Sequence, residues 1–153
     1  MTLRHRVATV WRFLARCARL GPADGATCLL SWVLFHLAVV QLRLAPHGPG
    51  WRPAPDRWDG QPTVSSAPTR ATVARLVRLF EESTRFPILG DWCLPRAVAL
   101  RRLLRLHHFG AQLALGLRPG PQRLSGHAWV VYDGVALSED AGFLGSFSRC
   151  EVY

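Results

Sequence analysis

Apolar residues recur every three to four positions near the start of the chain. Leu3, Val7, Val10, Trp11, Leu14 and Ala18 share one side of a helix over residues 2–20, and His5, Arg12, Arg16 and Arg19 fall on the other. The pattern predicts an amphipathic helix that buries its apolar side and solvates its arginines. A basic helix lying on a membrane surface is the alternative. Gly21-Pro22 ends this helix, and Asp24 is placed to cap the next one. From Gly25 to Leu42 the chain runs 18 residues without a formal charge. That length just suffices to span a bilayer. Thr27, Ser31, His36 and Gln41 are scattered through it, so the predicted element is a helix buried against the domain or a partner. Membrane association through residues 25–42 is the less favoured reading. No small-residue cleavage site follows a short apolar core, which argues against a cleaved signal peptide.

Residues 46–68 contain six prolines and three glycines, which excludes a regular helix or a central strand. They read as a linker between an N-terminal helical region (1–45) and a domain over 69–153, with Trp51 and Trp58 anchoring it. Periodicity returns at 69–84, where Val73, Leu76, Val77 and Phe80 line one helix face. A second helix is predicted from Cys93 to about His108, with Gly110 at its C-terminal cap. Residues 111–117 read as a strand, and 127–132 with 135–139 as a hairpin around Asp133-Gly134. The tail after Asp140 adds one short edge element. The fold class is therefore α+β: a helix packed on a small antiparallel sheet, preceded by N-terminal helices.

Composition adds three constraints. A hydrophobic content of 49% supports a packed core and excludes wholesale disorder. The net charge is +9, all of the basic side chains other than histidine being arginine. This would favour acidic partners, but an arginine-biased composition with charges that mostly solvate helix faces is the preferred explanation. The four cysteines, Cys17, Cys28, Cys93 and Cys150, form no CxxC pair and no compact disulfide framework. A reducing, cytoplasmic setting follows, with Cys17 and Cys28 packed as small hydrophobes.

Cys93 is different. With Asp91 as N-cap, it lies in the first helical turn, and Pro95 is tolerated there because first-turn N–H groups have no intrahelical partner. The positive end of the helix favours a thiolate, and the free N–H groups can donate to an oxyanion. His127 opens the first hairpin strand and supplies a base. Its cross-strand neighbour depends on the turn. A two-residue Asp133-Gly134 loop pairs Tyr132 with Val135 and sets Asp140 opposite His127. A three-residue Tyr132-Asp133-Gly134 loop, with Gly134 in a bulge, pairs Val131 with Val135 and sets Glu139 opposite His127. The second register gathers the bulky residues on one face, so Glu139 is the expected orienting carboxylate and Asp140 the alternative. Trp92 and Trp129 flank these positions and either line a substrate cleft or pack in the core. Zinc is disfavoured: Cys93, His107, His108, His127 and Cys150 lack the usual short ligand pairs, the adjacent histidines apart.

The stretch "CLPRAVALRRLLRLHHFGAQLALGLRPG", followed by "GHAWVVYDGVALSE", resembles the transglutaminase-like leader peptidases of lasso-peptide biosynthesis over about residues 70–145. The Cys-Leu-x-Arg-Ala helix start and the His-Ala-Trp-Val strand carry the likeness. The resemblance implies a transglutaminase-like, papain-like core in which Cys93 is nucleophile, His127 general base and acid, and Glu139 the orienting carboxylate. The family position often carries Asp, and Asp140 is adjacent. It also implies leader removal from a precursor peptide, and no cofactor or metal. A separate leader-recognition protein and an ATP-dependent lasso cyclase are the implied partners. Two rivals remain. One is acyl transfer by the same triad. The other is a basic adaptor that binds nucleic acid or anionic membrane through residues such as Arg101, Arg102 and Arg105. The favoured reading involves no nucleic acid.

Overall fold

The computed structural model describes residues 3–44, 67–89, 92–119, 125–147 and 149–152. The elements run α1 (Leu3–Arg19), α2 (Pro22–Leu44), α3 (Ala67–Thr84), α4 (Cys93–Leu106), β1 (Gln112–Arg118), β2 (Ser125–Tyr132), β3 (Val135–Leu137), α5 (Ala141–Leu144) and β4 (Arg149–Val152). The strands form one antiparallel sheet in the order β3-β2-β1-β4, as the α+β expectation required. The predicted edge element in the tail is β4, which pairs with β1. Most of the proline-rich stretch, with Trp51 and Trp58, lies outside the described residues, as does the expected capping residue Asp91.

One core joins the helices to one face of the sheet. Phe35, Ala38 and Val39 of α2 meet Val73, Leu76 and Phe80 of α3, Leu100, Leu103 and Leu104 of α4, and Leu113, Ala128 and Val130 of the sheet. The strand alternation sends Ala128 and Val130 to this side and His127 and Trp129 to the other. There Phe147, in the segment after α5, covers Trp129. Gly116 on β1 lies opposite His127 and leaves the space this needs. A Cβ at 116 would sit 2.8 and 2.9 Å from the Trp129 ring and 3.0 Å from Phe147 Cβ.

Several local expectations change. Asp24 is not the cap of α2, because that helix already begins at Pro22. Asp24 sits in the first turn, where negative charge is favourable, and accepts from Arg75 of α3. The expected Gly110 cap of α4 is displaced to His107, and His108 takes the left-handed position with φ 63°. Phe109 N–H then donates to Leu104 O and His108 N–H to Arg105 O, which closes the helix two residues early. The hairpin turn has two loop residues, not three: Tyr132 pairs with Val135 and Val130 with Leu137. Asp133 and Gly134 both have positive φ, 52° and 74°, and Asx-Gly adopts this twist at low cost. The packing argument for the longer loop fails because both faces of β2 are covered.

The largest change is in α1. Its apolar side, expected to be buried, faces outward, with Val7, Trp11 and Leu14 exposed. The helix is anchored instead by Phe13, which stacks on Trp32 of α2 at 5.0 Å and meets Phe86 at 6.0 Å.

Candidate active site

Cys93 is the first residue of α4. The N-cap position is held by Trp92, in extended conformation and with no cap bond from its own side chain; the expected cap Asp91 lies outside the described residues. The first intrahelical bond runs from Arg96 N–H to Trp92 O at 3.3 Å. Pro95 has no N–H, so Cys93 and Leu94 are the two helical residues ahead of it that carry one, with no intrahelical acceptor for either. Trp92 stands at the surface with the Arg43 guanidinium 4.8 Å from its ring centroid.

The connection before Cys93 is held from α2. Trp32 Nε1 donates to Phe86 O at 3.0 Å. Ile88 N–H donates to His36 Nε2 at 3.0 Å, which leaves Nδ1 as the protonated nitrogen that donates to Trp32 O at 2.8 Å. Burial accordingly pushes the His36 pKa below its ordinary value. In the sequence this histidine was only a polar interruption of an apolar run. Its role as a clamp has no local signal, because Ile88 lies 52 residues away.

His127, on β2, is half-buried and donates through Nε2–H to Glu139 Oε1 at 2.9 Å. The observed register would have set Asp140 opposite His127, yet Glu139 makes the contact. The reason is Ser138, whose φ of 62° ends β3 and turns Glu139 inward. Asp140 is exposed and accepts the Phe143 N–H at 3.0 Å, capping α5. Three aromatic rings hold the imidazole: Phe143 edge-on at 5.1 Å, and Phe147 and Trp129 stacked at 5.6 and 5.9 Å. Arg118 lies 5.5 and 5.3 Å from the Phe143 and Phe147 centroids.

Cys93, His127 and Glu139 line a single cavity of about 300 Å³. Trp92 and Trp129 also line it, the first at the surface and the second buried. Phe80, Ala97, Leu100 and Val130 make it largely apolar, while Glu81 and Arg96 contribute one charge of each sign. Among the described residues no three His, Cys, Asp or Glu side chains converge as metal ligands. The other thiols differ in kind. Cys28 is fully buried, donates to Leu79 O at 3.7 Å, and is pushed up to about 12, chiefly by burial and then by Cys17. It stays a thiol, as expected of a core cysteine.

No curated protein and no solved structure matches the chain. A family model does. The transglutaminase-like superfamily model covers residues 31–151, from the middle of α2 through β4, and so includes the cysteine helix, the histidine strand and the sheet. That superfamily works by cysteine-based peptidase and acyl-transfer chemistry. With its cysteine at a helix start and its histidine and carboxylate on the adjoining sheet, this chain belongs to the transglutaminase-like superfamily.

Proposed function

We propose that this protein is a cysteine peptidase that removes the leader from a ribosomally made lasso-peptide precursor. The observation that carries the chemistry is the 2.9 Å His127–Glu139 contact in the same cavity as a cysteine at a helix start. Leader removal is supported by the likeness of the Cys93-Leu-x-Arg-Ala and His127-Ala-Trp-Val motifs to leader peptidases.

In this mechanism Glu139 occupies His127 Nε2, so Nδ1 serves the thiol. His127 takes the Cys93 proton, and Sγ attacks the scissile carbonyl. The free N–H groups of Cys93 and Leu94 donate to the oxyanion. The C–N bond then breaks as His127 returns the proton to the leaving amine, which is the new amino terminus of the core peptide. A water molecule, deprotonated by His127, hydrolyses the thioester, releasing the leader carboxylate and restoring the thiol. A separate leader-recognition protein delivers the precursor, and an ATP-dependent cyclase consumes the freed amine in the cytoplasm. No cofactor takes part.

The test is cleavage of a lasso precursor by the purified protein together with a leader-recognition protein. Cys93→Ala abolishes cleavage and keeps the thermal transition. Cleavage at the normal rate by that variant refutes the proposal. Mass analysis separates the rival chemistry: hydrolysis leaves a free carboxylate on the leader, and acyl transfer leaves an amide to an added amine.

A further inference from the structure

We infer that the outer face of α1 and α2 is a docking surface for an anionic membrane, on which the protein lies without spanning. α2 is long and apolar enough to cross a bilayer, with a mean hydropathy of 1.7 over its best window. Its inner side is already committed. Phe35, Ala38 and Val39 form part of the core, and Trp32 and His36 hold the connection before Cys93. Withdrawing α2 into a bilayer would empty that core and free that connection.

The outer side tells a different story. Leu29, Leu30, Val33, Leu37, Val40 and Leu44 are exposed at helical spacing. They run about 22 Å along the helix at 1.5 Å per residue, with no charged residue until Arg43. Val7, Trp11 and Leu14 extend the stripe onto α1, with Trp11 68% exposed. The two stripes meet where Leu14 and Ala18 face Ala26 and Leu29 across one recess. A contiguous exposed apolar face of this kind marks an interaction site.

Charge selects the occupant. α1 contains no acidic residue, and the exposed Arg4 borders the Val7–Trp11–Leu14 stripe in helical projection, with Arg12 and Arg19 beyond it on the polar side. Arg16, further round, faces inward to Glu82 at 3.1 Å. An apolar stripe with tryptophan, bordered by Arg4 on a chain of net charge +9, complements acyl chains under anionic phosphate headgroups.

The experiment is flotation of the purified full chain with phosphatidylglycerol-containing vesicles and with pure phosphatidylcholine vesicles. Binding is expected to the first, at least tenfold weaker binding to the second, and weakening by salt. Arg4→Gln lowers binding about fivefold, the effect of one charge near the surface. Leu37→Glu abolishes it while circular dichroism stays unchanged; Trp11→Glu makes the same test should Leu37→Glu lose its helical signal. Equal binding to both vesicles, no binding to either, or full binding by the stripe variants overturns the inference. A dimer in solution that Leu37→Glu converts to monomer, without vesicle binding, assigns the face to a second copy and also overturns it. Cys93 and His127 take no part in any of these readouts.

Discussion

Glu139→Gln separates the two carboxylates that the sequence left side by side. The His127 Nε2 to Glu139 Oε1 distance is 2.9 Å, and the two side chains are only 18% and 23% exposed. Hydrogen bonds to charged groups contribute about 1.5–3 kcal/mol net. Glutamine keeps the shape and a neutral acceptor, but it no longer stabilises a protonated imidazole. In the proposed mechanism that ion exists only after the thiol proton has moved, so the loss falls on the transition state. The expected fall in kcat/KM is about 10- to 150-fold, mostly in kcat. Asp140→Asn is the control. Its Oδ1 only caps α5 through Phe143 N–H at 3.0 Å, and asparagine caps equally well. Its effect stays within about twofold in rate and about 0.5 kcal/mol in stability. Steady-state cleavage of a precursor and thermal melts of both variants make the comparison. Wild-type rates for Glu139→Gln, or an equal loss from Asp140→Asn, would refute the assignment.

Three further predictions rest on packing and protonation. Gly116→Ala drives a methyl to within 3 Å of the Trp129 ring, which stacks on His127. Overpacking of this kind costs about 1–3 kcal/mol. Melting and cleavage should fall together, and an unchanged melting temperature would mean the aromatic cradle yields freely. The folded-state pKa of His36 lies below its ordinary 6.5, so the unfolded chain takes up the proton first as pH falls. This contribution is complete above about pH 6.5 and is lost as pH drops toward the folded value. Melting temperatures should therefore decline on acidification, with a shallower slope in His36→Asn; identical slopes would contradict the clamp. His108 holds φ at 63°, where a side chain is strained and glycine is not. His108→Gly should raise stability by about 0.5–1 kcal/mol in denaturant melts. A decrease would show that the imidazole makes a compensating contact.

The helices around Cys93 were legible because helical period is local: Val73, Leu76 and Phe80 declare a shared face whatever they pack against. The order of cysteine, histidine and carboxylate was legible too, as was the place of the turn at Asp133-Gly134, though not its two-residue length. The structure places His127 beside Glu139, the expected residue, but by another route. A two-residue loop would have brought Asp140 into line, and the left-handed Ser138 shifts the chain back by one. That depends on how both faces of β2 are covered, and Phe147 sits 18 residues beyond Trp129 in the chain.

Sequence alone thus determined which residues share a face, in what order the elements come, and which groups are chemically fit to react. Tertiary structure decided what each face meets. The apolar side of α1 points outward because Phe13, on its other side, found Trp32 and Phe86. His36 became a clamp because Ile88 came within 3.0 Å of it. Periodicity follows from backbone geometry that every residue carries with it, whereas docking depends on pairs of surfaces brought together from distant parts of the chain.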